Sequence, residues 1–421
     1  MTPAIVFVAL GSRGDVEPMA RLAGALGRRG AVVRVVALKE YAGLAAQQDV
    51  PFVPVDASLA EILTTAGRLR RFASTSGGQG WLLNRWARHV AEPATDAVLS
   101  AVQPGDTVLS GVLGAGVGPT LAEERGCPVA TIAFSGQFPT LHRESHYFAH
   151  GFRRWEAYNR WGVNLNWSLV TAVGAPVTKA LRARLGRPAW RTHQIRDAVD
   201  AHPRVVAASP VLIPPASDWP AGVHQTGFLF APDPDARLDP ELELFLADGP
   251  PPVFIGMGSM TGATGREGFD LAIAAGRAAG RRVVVPAPDP GPSGRVAEDA
   301  YAITDAPHDL LFPQMAGLIH HGGAGTTQMG LRSGRPTVAA PFAADQPYHA
   351  WRLHRLGLGP EPVPFLRLTP ERLARLTNDL VAGPDTAGFE RRAADVRTRI
   401  CAEDGIGQTI ALLSQLELLP A

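Results

Sequence analysis

Residues His320-His321-Gly322-Gly323-Ala324-Gly325-Thr326-Thr327 follow the apolar run Met315-Ala316-Gly317-Leu318-Ile319 and precede a helical stretch expected to begin at Gln328. A strand, a glycine turn and a helix start, in that order, leave backbone amides pointing outward at an anion. His321 adds an imidazole, Thr326 a hydroxyl, and Gly323 and Gly325 a backbone that a phosphate can approach. The same order recurs at Gly256-Met257-Gly258-Ser259-Met260, with Ser259 as the candidate contact, and two such turns in one half of a chain suit a diphosphate. A third turn, Pro341-Phe342-Ala343-Ala344-Asp345-Gln346-Pro347, sets a carboxylate beside an amide. Adjacent sugar hydroxyls are the natural complement of that pair, although Asp345 with Pro347 behind it also fits a helix N-cap. A fourth turn, Gly11-Ser12-Arg13-Gly14-Asp15-Val16-Glu17-Pro18, places Ser12 and Arg13 to reach a phosphate and Asp15 at a helix start. A carboxylate there is stabilised by the helix dipole and can serve as a base or simply as the cap.

Turns of this kind need strands and helices to hold them. Short β-branched runs at Ala4–Leu10, Ala31–Leu38, Thr107–Ser110, Pro128–Phe134 and Val205–Ala208 read as strands, and Val16–Arg28 as a helix with Met19, Leu22, Ala23 and Leu26 inward. A second series starts at Val253 and continues with Arg282–Val285, Gly317–His320 and Thr337–Ala340. Strands alternating with helices imply α/β architecture with parallel, doubly covered sheets. Each candidate turn falls at the carboxyl end of a strand, where such sheets bind ligands. The length of 421 residues exceeds what one core supports. The Pro- and Asp-rich stretch over 231–252 marks a linker between a domain at 1–230 and one that begins at 253.

Composition excludes several classes. Hydrophobic residues at 46% against 19% charged argue for large cores and against disorder. A net charge of +1, from 40 basic and 39 acidic side chains, gives no reason to expect nucleic acid as a partner. The apolar run Ala4–Leu10 is too short for a secretory signal or a membrane span, and no later stretch reaches eighteen apolar residues. Cys127 and Cys401 form no metal-ligand spacing, which suits a reduced, cytoplasmic protein without a metal site. Asp233-Pro234-Asp235 reads as a solvated loop and not as a metal site. His142, Glu144, His146 and His150 fit no closed zinc site and are candidates for an acceptor pocket. The segment Phe152–Trp167, with Trp155, Tyr158, Trp161 and Trp167 among arginines, fits a core helix, an apolar acceptor site or a peripheral membrane contact.

The run Ala306-Pro307-His308-Asp309-Leu310-Leu311-Phe312-Pro313, the His320–Thr327 turn, Gly334-Arg335-Pro336 and Pro341–Pro347 resemble the nucleotide-sugar domain of family 1 glycosyltransferases. With Gly11–Pro18 and Pro250–Ser259 added, the resemblance covers essentially the whole chain and points to the branch of sterol glucosyltransferases and enzymes that glycosylate glycopeptide antibiotics. It implies a GT-B fold of two Rossmann-like domains facing across a cleft. The N-terminal domain (1–230) would bind the acceptor and the C-terminal domain (253–400) the donor, with a last helix within 401–421 crossing back. His321, Gly323, Gly325, Thr326 and Ser259 match diphosphate contacts of the family, and Asp345 and Gln346 match the pair on the donor sugar. His308 stands beside the base, which Ala306 lines through its backbone. Asp15 stands where many relatives carry a catalytic histidine.

The resemblance therefore implies a metal-independent, inverting hexosyl transfer from a UDP- or dTDP-linked sugar, a co-substrate and not a cofactor, to a hydroxyl of a small hydrophobic acceptor. Asp15 is the expected base, with His142 or His146 as replacements. A natural-product or antibiotic aglycone is the expected acceptor and a sterol or lipid the alternative; Trp155, His142 and His146 are the candidate acceptor contacts. Met257 and Ala343-Ala344 depart from the family pattern and suit a modified donor sugar. Rival readings are a nucleotide-sugar epimerase, for which no second carboxylate stands out, and a catalytically silent partner protein of the same fold.

Overall fold

The computed structural model describes residues 2–58, 75–257, 265–288, 291 and 293–420. They form two units, one built on Gly80–Ala231 with the start of the chain and Glu403–Ala421, the other on Pro232–Ala402.

The first unit carries strands β1 (Ile5–Ala9), β2 (Val33–Leu38), β3 (Phe52–Val55), β4 (Thr107–Gly111), β5 (Val129–Ala133), β6 (Arg204–Val206) and β7 (Val223–Gln225). They pair in parallel in the order β3-β2-β1-β4-β5-β6-β7, with Ile5 opposite Val33 on one side and Thr107 on the other. Every residue of β1 is 0% exposed, as a strand covered on both faces requires. Its described helices are α1 (Arg13–Gly27), α2 (Ala42–Ala46), α3 (Ser76–Ala101), α4 (Val117–Arg125), α5 (Glu156–Val173), α6 (Ala175–Arg184) and α7 (Thr192–Asp200). In α1 the buried Met19, Leu22, Ala23 and Leu26 are those the 3.6-residue period placed inward. The last helix, Gly405–Gln415, belongs to this unit: the buried Thr409 hydroxyl lies 2.7 Å from that of Thr226, and Asp404 caps the helix by accepting the Gly407 N–H at 2.8 Å.

The second unit holds strands β8 (Val253–Gly256), β9 (Val283–Pro286), β10 (Gly294–Ala297), β11 (Ala300–Ile303), β12 (Gly317–His320) and β13 (Thr337–Ala339), in the order β10-β11-β9-β8-β12-β13. Among the described residues, only the edge strand β10 runs antiparallel to its neighbour. Its described helices are α8 (Pro240–Ala247), α9 (Gly265–Ala278), α10 (His308–Leu311), α11 (Ala324–Ser333), α12 (Gln346–Arg355), α13 (Pro370–Val381) and α14 (Thr386–Cys401). Alternate strand residues feed two separate cores: Val253, Ile255, Val283, Val285 and Ile319 pack with α9 and α13, while Phe254, Val284 and Leu318 pack with α8 and Phe312. Each such side chain contributes about 1.5–3 kcal/mol by leaving water.

Two boundaries differ from the sequence expectation. The stretch 231–252 is not all irregular, because Asp239 accepts the N–H groups of Glu241 and Leu242 and Pro240 occupies the first turn, which starts α8. Helix α11 begins at Ala324 and not at Gln328, so Gly325 and Thr326 lie within its first turn. In both sheets the strand order reverses beside the first strand of the series, between β1 and β4 and between β8 and β12. Ligands of open parallel sheets bind at such switch points, beyond the carboxyl ends of the strands.

Candidate active site

At the first switch point, β1 runs through Leu10 into the tight turn before α1. The buried Trp86 indole donates to the Leu10 carbonyl at 3.3 Å and pins the base of this turn. Ser12 is the N-cap of α1 in extended conformation, and Asp15, three residues on, accepts the Ser12 N–H at 2.8 Å and the Ser12 hydroxyl at 3.3 Å through Oδ2. This is the reciprocal half of a capping box. A side chain at Gly11 would overlap the Asp15 carboxylate, so the glycine is required by close approach. The carboxylate that makes this contact is half-buried, and it is the candidate base. Arg13 is exposed and pairs with Glu17 at 2.9 Å. Tyr41, which follows β2, has its phenol pushed above the usual range by burial first and then by the charge of Glu40, with Asp15 adding to it.

The acceptor candidates separate. His142 is exposed, and its Nδ1 lies 2.6 Å from the Ser145 hydroxyl, which itself donates to the Pro214 carbonyl at 2.6 Å. A hydroxyl has one proton to give, so His142 donates from Nδ1 to the Ser145 oxygen. Asp218 holds the same loop by accepting from the Thr140 hydroxyl and, at 2.7 Å, from the Leu141 N–H. His146 departs from what its sequence position suggested. It is 0% exposed, stacked among Tyr147, Phe148 and Phe152, and its Nδ1 accepts the Phe148 N–H at 3.1 Å. Burial pushes its pKa down to about 4, so the ring is a neutral part of the core. Trp155 is the N-cap residue of α5 and 75% exposed, and Tyr158 and Trp161 on that helix are exposed as well.

At the second switch point, β12 ends at the fully buried His320, and the His321 N–H reaches the Gly256 carbonyl of β8 at 3.1 Å. Gly322 adopts φ +91°, a conformation that suits glycine. Gly323 is the N-cap of α11 and offers no side chain to its first-turn amides. A Cβ on Gly323 would stand 2.5 Å from His321 Nε2, so the imidazole lies against the uncapped helix end. Burial pushes His321 down to about 4, against the opposing pull of Asp345 and the Gly256 carbonyl, and its Nδ1 forms no hydrogen bond among the described residues. A neutral imidazole, first-turn amides and a helix dipole in one place can hold an anion. Ser259 lies outside the described residues.

The neighbouring turn after β13 presents Asp345. It occupies the N-cap position of α12, yet its side chain makes no capping hydrogen bond. Ala344 before it takes φ +57°, a strained choice for a residue with a Cβ. Gln346 is 4% exposed and spends its Oε1 on the N–H groups of Phe342 and Ala343, at 2.8 and 3.2 Å, which shapes the turn. The His308 ring stacks on Phe312 with centroids 4.2 Å apart and meets Phe254 edge-on, while Ala306 packs on the same core. Among the described residues no group of three or more His, Cys, Asp or Glu is arranged to hold a metal ion, and no helix is long and apolar enough to cross a membrane.

No protein-family model matches the chain. Over 412 residues it is 33% identical to the vancomycin aglycone glucosyltransferase of Amycolatopsis orientalis, covering 89% of this chain and 92% of that protein. The chain belongs to the family 1 glycosyltransferases. It is also 36% identical over 236 residues to the O-mycaminosyltylonolide 6-deoxyallosyltransferase of Streptomyces fradiae, a match that spans 56% of this chain and 54% of that one. The glycosyltransferase VinC, solved in complex with dTDP, shares the GT-B fold at a TM-score of 0.65 and 19% identity, over 98% of this chain and 99% of that one. In the present chain, Tyr41, His320 and His349 stand beside the candidate residues. Tyr41 and His349 carry no local motif in the sequence, whereas His320 belongs to the His320–Thr327 run.

Proposed function

We propose that this glycosyltransferase moves a sugar from a UDP- or dTDP-linked donor to a hydroxyl of a hydrophobic natural-product aglycone, with inversion and without a metal. The observation that carries the reading is the uncapped N-terminus of α11 with His321 Nε2 against Gly323. Such a site meets the charge that builds on a departing diphosphate. Asp345 and Gln346 then serve the sugar hydroxyls, His308 and Ala306 the base, and Ser12, Arg13 and Ser259 the remaining phosphate contacts. That dTDP is bound by VinC, and that aglycones are named for the vancomycin relative, supports the donor and acceptor classes.

Asp15 takes the acceptor proton as the acceptor oxygen bonds to the anomeric carbon. The bond from that carbon to the diphosphate oxygen breaks, and its electron pair leaves with the diphosphate. The hydrogen bonds from Ser12 hold the carboxylate in one orientation for this step. General base catalysis of this kind is worth roughly 10²–10⁴-fold. The test uses glycopeptide aglycones, macrolactones and sterols as acceptors with UDP-glucose and dTDP-glucose. Asp15→Asn is expected to lose about a hundredfold or more in turnover while keeping its affinity for the nucleoside diphosphate. Retained anomeric configuration in the product sinks inversion. Undiminished turnover in Asp15→Asn moves the base to His142, the exposed histidine of the acceptor loop and the second candidate. Sterols as the sole acceptors would place the enzyme with the sterol glucosyltransferases instead.

A further inference from the structure

Gly322 sits between two imidazoles. Its N–H donates to His320 Nδ1 at 2.9 Å, and its carbonyl accepts from His349 Nδ1 at 2.7 Å. A backbone amide only donates and a carbonyl only accepts. His320 is therefore bare at Nδ1, and His349 carries its proton there. Both side chains are 0% exposed, so neither can exchange its partner for water.

His349 also reaches the other half of the donor site. It lies on α12, and its backbone N–H donates to the Asp345 carbonyl at 3.1 Å. One residue thus joins the peptide just before the α11 N-terminus to the turn that presents Asp345. The two turns are already in contact, since a Cβ on Gly322 would stand 3.1 Å from the Gln346 carbonyl oxygen and 3.3 Å from Ala339 Cβ. Glycine with positive φ is the freest residue in such a turn. Fixing both of its backbone groups removes that freedom before any ligand arrives, which lowers the ordering cost of binding.

We propose that His349, with His320 as the opposing jaw, is a positioning residue that locks the phosphate turn to the sugar-holding turn. The inference rests on the reading of the β12–α11 turn as the diphosphate site. Both rings act through Gly322.

The test exploits the ring nitrogen used. His349→Asn places an amide N–H where Nδ1 stands, whereas His349→Gln places it where Nε2 stands and leaves the Gly322 carbonyl buried and unpaired. Dissociation constants for dTDP, UDP, dTDP-glucose and UDP-glucose are measured by calorimetry alongside melting temperatures. His349→Asn is expected to stay near the wild type, and His349→Gln to bind about tenfold more weakly. A role in stability alone would lower the melting temperature of the Gln variant and leave the affinity of its folded form intact, and that result overturns the proposal. If the wild type binds none of the four nucleotides, the diphosphate reading falls and takes the clamp's role with it. Wild-type binding with an unaffected Gln variant overturns the clamp alone. Should neither variant fold, ¹⁵N spectra of the wild type decide: a protonated His349 Nδ1 that shifts on saturation with dTDP or UDP is expected, and an Nε2–H tautomer or an unmoved signal contradicts the proposal.

Discussion

Protonation of His321 links this structure to a measurable affinity. Burial pushes the imidazole down to about 4, below the ordinary value of roughly 6.5, so the unliganded protein holds it neutral at pH 7. A diphosphate lodged against Nε2 favours the imidazolium and is expected to return the pKa to at least its ordinary value. Between those two values the bound form then holds more protons than the free form, so affinity rises as pH falls through the window. From pH 8 to pH 5.5 a return from about 4 to about 6.5 multiplies the affinity by about ten, or about 1.4 kcal/mol. The terminal phosphate of the nucleotide protonates in a similar range and acts in the opposite direction. The quantity to read is therefore the difference between the wild type and His321→Gln. Calorimetric titration with dTDP or UDP at both pH values, in buffers of different ionisation enthalpy, gives the affinities and the proton uptake together. The wild type is expected to gain about tenfold on the variant as pH falls, with more protons taken up on binding by the wild type than by the variant. Parallel profiles would refute the placement of Nε2 against the diphosphate.

Other expectations follow from single contacts. Gly11→Ala would push a methyl group into the Asp15 carboxylate, so turnover is expected to fall as it does for Asp15→Asn while nucleotide affinity holds; steady-state kinetics beside a dTDP titration checks both. His146 has a folded-state pKa of about 4, below its unfolded value, so the unfolded chain binds more protons between about pH 4 and 6.5 and stability is lost as pH falls through that window. Urea unfolding at pH 7 and pH 5 is expected to show about 2 kcal/mol more loss in the wild type than in His146→Asn, which keeps an acceptor for the Phe148 N–H without titrating.

Much of the site could be read from local chemistry, because the signals were local. The glycines of 322–325 after an apolar strand foretold the turn, and Ile5–Ala9 read as a buried strand because all five residues are apolar. Gly and Thr are poor helix formers, so propensity alone starts α11 at Gln328; in the fold, the buried Thr327 N–H closes onto the Gly323 carbonyl at 2.9 Å and packing overrides propensity. Asp239-Pro240 is a helix start that the Pro- and Asp-rich residues before it obscure in the sequence. His349 lies 27 positions from the carbonyl it holds, and no local pattern reports a partner that distant. His146 read as polar and available, yet the aromatic rings beside it at 147, 148 and 152 are what bury it.

Binding of a nucleoside diphosphate at the α11 turn of the second unit underlies every proposed step. Thermal unfolding with UDP, dTDP, ADP and GDP, each with magnesium and with a chelator, tests it most directly. A ligand at a hundredfold excess over its dissociation constant stabilises by about 2.7 kcal/mol. UDP or dTDP is expected to give that shift equally in chelator, and His321→Ala to diminish it. No shift with any of the four nucleotides would rule out a diphosphate site at this turn.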